Sequence, residues 1–242
     1  MKVSLTALLV RKKIFLIMMI LGMYSVALHA QYNVDNRLKL ELTPCVWMTK
    51  MNGELTLNGE PRAINFSFSD FLEYSNLGLN GTIELKLNRW AIFFSYNFAD
   101  LLKDKTYISV VFSELAFAWR FTKVFELIVG GRYFKSDIEY RDLPVLRQKG
   151  KQIWIDPIIG GRISFDITRR IVFSARADVG GFGVGSEFGW GLMAGVGYQI
   201  SNMTFVAAYR IWYANYKHSS GENLFAYDVT TSGPGLAMVL HF

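Results

Sequence analysis

Gly235-Leu-Ala-Met-Val-Leu-His-Phe242 closes the chain and decides how the rest of it is read. Successive side chains of a strand point to opposite sides, so Leu236, Met238, Leu240 and Phe242 share one face. Ala237, Val239 and His241 share the other. An apolar outer row backed by smaller residues suits a strand whose outside meets lipid. In a membrane, strands satisfy all their backbone groups only by closing into a ring. The stretch therefore predicts an all-β fold, a transmembrane antiparallel up-and-down β-barrel.

Upstream, the same period of two recurs in segments of about ten residues, the pattern of barrel strands rather than helices. Leu115, Phe117, Trp119 and Phe121 alternate with Glu114, Ala116, Ala118 and Arg120, and Phe125, Leu127, Val129 and Tyr133 oppose Glu126 and Arg132. Counting such segments back to Leu38 predicts about ten strands, within a range of about 8 to 12. Tight connections at Asn88-Arg89, Thr122-Lys123, Thr168-Arg169 and Ser201-Asn202 alternate with longer ones over about 51–76, 100–106, 135–151, 182–187 and 216–224. Short periplasmic turns and longer outer loops have this rhythm, which puts both termini in the periplasm. In the first long connection, Ser67 with Asp70 is spaced to cap a short helix carrying Phe71 and Leu72. Trp90, Trp119, Phe121, Phe125, Phe165, Phe173, Tyr198, Phe205 and Phe242 all sit near the tight turns in outward register. Aromatic rings concentrate in this way at a membrane interface.

Residues 1–30 have the form of an export signal, with Arg11, Lys12 and Lys13 ahead of an apolar run that ends on small residues around Ala27 and Ala30. The barrel is then expected over residues 31–242. Half the chain is hydrophobic (51 %), yet no apolar run beyond the amino-terminus is long enough for a spanning helix. The formal charge of +6 largely belongs to the signal: without its four basic residues, 22 cations face 20 acids, a net of +2. No Lys/Arg stripe marks a nucleic-acid surface. Cys45 is the only cysteine, so no internal disulfide forms, and a packed thiol is the expected role.

The inward register collects Glu41, Glu84, Glu114, Glu126, Asp156 and Asp178 against Lys39, Lys86, Arg120, Arg132, Arg162, Arg176 and Arg210. Buried charges are costly unless paired, so this near-balance predicts a salt-bridged lumen. A charge-lined conduit is the alternative, but ten strands lie nearer the side-chain-filled small barrels than the wide porins. Nothing calls for a cofactor or a metal: one cysteine and two mature histidines are too few for a zinc cluster. The glycines of Gly180–Gly185 lack nucleotide-motif spacing and suit a hairpin with positive φ. His218-Ser219 with Glu222 offers a base beside a hydroxyl, the chemistry of a lipid A acyl-ester hydrolase. Neighbours on a strand face opposite sides, however, and the segment has the composition of a polar turn.

Two resemblances add to this reading. The closing strand resembles the carboxy-terminal signal, ending in Phe, by which the outer-membrane assembly machinery recognises its clients, with Leu236, Met238, Leu240 and Phe242 as the residues involved. Asp156-Pro-Ile-Ile-Gly-Gly-Arg162, Ala177-Asp-Val-Gly-Gly-Phe-Gly-Val-Gly-Ser186 and Leu192-Met-Ala-Gly-Val-Gly-Tyr198 resemble pieces of a widespread family of small Gram-negative outer-membrane barrels, with no activity assigned to the family. The resemblance implies an outer-membrane location, lipid and lipopolysaccharide as surroundings, and the assembly machinery as a transient partner. Apart from the resemblance, Lys135, Arg141, Arg147, Lys149 and Lys151 outnumber Asp137, Glu139 and Asp142 in the third outer loop, which either meets lipopolysaccharide phosphates by charge-assisted hydrogen bonds or is an ordinary solvated loop. The expected function is a non-enzymatic structural or surface-interaction barrel, with a narrow channel or small-molecule transporter as the second reading. Neither composition nor spacing defines an oligomeric state.

Overall fold

A computed structural model describes residues 37–77, 80–103, 106–140, 148–220 and 223–242. The export signal read over residues 1–30 lies outside this set. In chain order the elements are β1 (Lys39–Trp47), β2 (Lys50–Leu57), β3 (Glu60–Phe66), α1 (Phe68–Tyr74), β4 (Ser75–Leu77), β5 (Asn80–Leu87), β6 (Trp90–Lys103), β7 (Thr106–Arg120), β8 (Phe125–Tyr140), β9 (Gln148–Asp166), β10 (Ile171–Gly180), β11 (Phe188–Ile200), β12 (Met203–Ser220) and β13 (Asn223–His241).

The ring is antiparallel throughout and closes where β1 pairs with both β5 and β13. It has ten staves, two of them split. β1 and β2 run end to end along β13, β1 opposite its last residues and β2 opposite Ala226–Ser232. β4 and β5 likewise share β6 as partner. Leu40 and Phe242 exchange backbone hydrogen bonds of 3.2 and 2.9 Å, which brings both described ends of the chain to the tight-turn rim. That rim faces the periplasm in outer-membrane barrels.

Local chemistry explains these turns. Asn88 and Ser201 adopt positive φ (57° and 54°) in two-residue loops, a conformation that the twist of hairpin strands favours. Thr122 and Thr168 perform the same task in the other two tight turns, each hydroxyl accepting the backbone N–H three residues on, at 3.0 and 3.1 Å. Between β10 and β11, Gly181, Phe182 and Gly183 all have positive φ, which accounts for that glycine run.

The outer connections differ from the expected loops. Residues 51–76 are mostly a hairpin, β2 to β3, turned at Asn58-Gly59 with φ of 52° and 80°. Both central residues are left-handed, as a type I′ turn requires. The helix at its foot, α1, begins as its spacing predicts. The Ser67 hydroxyl accepts the Asp70 N–H at 3.2 Å and the Asp70 carboxylate accepts the Ser67 N–H at 2.7 Å, a reciprocal cap. Other staves rise further than expected, β8 to Tyr140, β9 from Gln148, β12 to Ser220 and β13 from Asn223.

Outside, the wall is apolar: Leu115, Phe117, Val129, Ile155, Leu192, Val196 and Leu236 are among many exposed hydrophobics. Near the tight turns, Trp90 stacks on Trp119 with centroids 6.2 Å apart, Trp119 meets Phe121 edge-on at 5.4 Å, and Phe165 meets Phe173 at 5.2 Å. A closed ring with this wall belongs in lipid.

Candidate functional site: the barrel lumen

The inner rows divide the lumen into two levels, ionic towards the tight turns and apolar towards the outer mouth. Nearest the tight turns, Lys86 Nζ lies 2.6 Å from Glu41 Oε2, and His241 Nδ1 lies 3.3 Å from Glu41 Oε1. Arg162 bridges Glu84 at 2.5 Å and Glu126 at 2.6 Å, while Arg120 Nε donates to Glu126 Oε1 at 2.8 Å. The ladder sets like charges opposite one another here, Lys39 with Lys86 and Glu41 with Glu84. Directly opposed like charges are destabilising, and the diagonal Lys86–Glu41 bridge offsets this. Lys39 itself is exposed at the rim.

Above this lies a ring of four charges. Arg132 contacts Glu114 at 3.0 Å and Asp178 at 2.5 Å, and Arg176 contacts the same two acids at 2.5 and 3.1 Å. Each guanidinium thus joins two carboxylates, and each carboxylate joins two guanidiniums. The side chains of Arg132 and Glu114 are 2 % and 1 % exposed, so these charges depend on one another rather than on bulk water. A Cβ on Gly191, opposite Asp178 in the ladder, would stand 3.2 Å from the Asp178 carboxylate, which is why the smallest residue fits there. Phe93 is buried between the levels, with Arg176 and Arg162 over its ring at 5.2 and 5.9 Å.

Two predicted lumen charges have other partners. Asp156 faces Arg132 in the ladder but accepts the Ser186 N–H at 2.6 Å, the Ser186 hydroxyl at 2.8 Å and Trp154 Nε1 at 3.2 Å. It fastens the β10–β11 loop to the wall. Arg210 makes no ion pair among the described residues and lies over the Trp47 and Phe112 rings, at 4.7 and 4.6 Å from their centroids.

Sequence reasoning missed the outer level. From Phe112, Phe134, Trp154 and Trp212 to the mouth, the inner rows become a buried apolar core. It includes Tyr216, Tyr227, Leu55, Leu57, Ile64 and Phe71. Phe134 sits at its centre, with centroids 4.2 Å from Trp154, 5.0 Å from Trp212 and 5.2 Å from Tyr227. The β2–β3 hairpin leans across the mouth: Tyr140 on β8 donates to the Leu55 carbonyl at 3.4 Å, and Arg62 on β3 lies 4.2 Å over the Tyr140 ring. The signal was present in the same alternation for the barrel strands, since Phe112, Phe134, Trp154, Trp212 and Tyr216 share the parity of the inward charges on their own strands.

The remaining candidates do not assemble. His218 and Ser219 are exposed and pair with Phe225 and Leu224, so they point to opposite sides of the wall, and Glu222 lies outside the described residues. No group of three metal-binding side chains occurs among the described residues. Cys45 is half-buried and free. Of the basic loop, Lys135 pairs with Asp137 at 2.9 Å, and Arg141 and Arg147 lie outside the described residues.

No family model matches the chain, and no curated relative does either. Among solved structures, it is similar to the outer membrane protease OmpT from Escherichia coli. The two are 9% identical over 89% of this chain and 100% of that one, with a TM-score of 0.54. The translocator domain of autotransporter NalP from Neisseria meningitidis is 8% identical over 96% of this chain and 98% of its own, with a TM-score of 0.41. Neisserial surface protein A is 12% identical over 87% and 100%, with a TM-score of 0.38. Likeness at this identity carries the fold and no activity. The resemblance to a family of small barrels therefore reaches as far as the outer-membrane barrel itself.

Proposed function

We propose that this outer-membrane barrel is non-enzymatic and closed, serving in a structural or surface-interaction role rather than as a conduit. One observation carries the reading: paired charges fill the lower lumen and an aromatic core under the β2–β3 hairpin fills the upper. An ion would have to break one level and displace the other. The narrow channel is the competing reading. In planar bilayers the purified protein is expected to give little or no steady current, whereas robust single-channel conductance would make the channel the better account.

The lipid A hydrolase reading has less support, because His218 and Ser219 do not converge. The lipid and lipopolysaccharide around the barrel make its outer surface the natural place for an interaction. The assembly machinery would meet the chain earlier, through Leu236, Met238, Leu240 and Phe242. Leu236 and Phe242 are 59% and 66% exposed, open to recognition before membrane insertion. Removing Phe242 is expected to lower the outer-membrane yield of the protein severalfold, and an undiminished yield would refute that assignment.

A further inference from the structure

The rim at the tight turns is unevenly charged. Arg89 lies in the β5–β6 turn, Lys123 in the β7–β8 turn, and Arg169 and Arg170 in the β9–β10 turn, all four exposed. Three consecutive turns therefore carry cations, one turn every two staves, or about 10 Å along the rim at the usual strand spacing. Among the described residues none of the four has an ion pair, and Asp166 is the one acidic side chain at this rim outside the lumen pairs. The opposite end differs, since Lys135 and Lys217 there have Asp137 at 2.9 Å and Glu187 at 3.7 Å.

The cations are also held in place. The Arg89 carbonyl accepts the Arg120 N–H at 2.7 Å, the Val124 carbonyl beside Lys123 accepts the Ser164 N–H at 2.9 Å, and the Arg170 carbonyl accepts the Gln199 N–H at 2.7 Å. Each turn is thereby tied to the next stave. Apolar surface stands directly beside each one, with Trp90, Val124 and Ile167 exposed. Arg170 Nη1 donates to the Tyr198 hydroxyl at 3.4 Å, which holds that guanidinium at the aromatic girdle. Cations fixed at the end of a lipid-facing wall, next to rings and aliphatic side chains, match a surface whose anions sit just above its acyl chains. An acidic phospholipid leaflet is such a surface. A polar polyanion of the periplasm, such as peptidoglycan, would leave Val124 and Ile167 in water.

We propose that these three turns form a docking arc for acidic phospholipids of the leaflet they face, the headgroup phosphates held by Arg89, Lys123, Arg169 and Arg170 through charge-assisted hydrogen bonds. The acyl chains then lie against the neighbouring rings. The arc rests on the outer-membrane placement of the barrel and is independent of whether the lumen conducts.

The full barrel, reconstituted in phosphatidylcholine vesicles containing phosphatidylglycerol, tests this by tryptophan fluorescence. Trp90 and Trp119 stand at the rim, and bromine on a lipid chain quenches tryptophan on contact. Relative affinity for brominated phosphatidylglycerol is expected to be about fivefold above that for brominated phosphatidylcholine, the worth of one cation at an anionic surface. Arg89→Gln, Lys123→Gln, Arg169→Gln and Arg170→Gln combined should bring the two close to parity, as should about 1 M salt, which screens charges beyond about 3 Å. Lys50→Gln, Lys135→Gln, Lys151→Gln and Lys217→Gln combined remove the same charge from the outer end and should leave the preference intact. A melting curve on each variant confirms that it has folded. Equal affinity for both lipids in the wild type would overturn the proposal, as would an unchanged preference in the rim variant or an equal loss in the outer one. Loss of sedimentation with purified peptidoglycan in the rim variant, at unchanged lipid preference, would overturn it in favour of the cell-wall polymer.

Discussion

The two levels of the lumen are built by the same strands, yet they are held together differently. β8 contributes Glu126 and Arg132 to the ionic levels and then, eight residues further up its inner row, Tyr140 to the aromatic one. Below, each group is held by specific opposite charges, so one deletion leaves the buried set out of balance. Above, many weak contacts share the load, and a deletion leaves a void whose cost depends on how far its neighbours relax. The lower level is therefore expected to be brittle and the upper one tolerant, within one continuous wall.

Arg132→Ala should break the comparison hardest. It leaves Glu114 and Asp178 to share Arg176 alone, two buried carboxylates on one guanidinium, with an expected loss of about 3–5 kcal/mol in denaturant unfolding of the solubilised barrel. Replacing all four ring members with apolar residues of similar size sharpens the point, because removal of the complete set should restore most of that stability. Leu55→Ala tests the other level. Leu55 is fully buried in the hairpin that covers the mouth, and its truncation is expected to cost about 2–4 kcal/mol. A loss from Leu55→Ala larger than that from Arg132→Ala would reverse the ranking of the two levels. Ser67→Ala removes the cap of α1, the short helix from which Phe71 enters the core, so about 1 kcal/mol is expected in the same measurement.

Alternation in the sequence says which side of a wall a residue faces, and the ten staves were legible from it. It does not say at what height neighbouring strands meet. Lys86 reaches Glu41 on the diagonal rather than its direct opposite Lys39, and Arg132 bypasses Asp156 for Asp178, two strands away. Those choices depend on register and side-chain reach around the ring, which no single segment contains. The Ser67–Asp70 cap was legible because its three-residue spacing is local. The hairpin went unread, although Asn58-Gly59 between alternating apolar residues is a strong turn signal. Length alone made residues 51–76 resemble a loop. The isolation of Arg210 could not be read in advance, because it results from where every acid on the other strands comes to rest.

The split first stave also has a consequence for the order of events in folding. Met51 pairs with Thr231, about 180 residues later in the chain, and Gly53 pairs with Val229. The lid over the mouth therefore cannot take its place until the last strand, β13, has arrived, and contacts so distant along the chain form slowly. Until that moment Leu55, Leu57 and their aromatic partners have no shelter, and exposed surface of this kind drives aggregation. Sealing of the outer mouth and closure of the ring are thus expected to be one late step, with refolding from urea showing burial of Trp154 and Trp212 only as the barrel becomes protease-resistant.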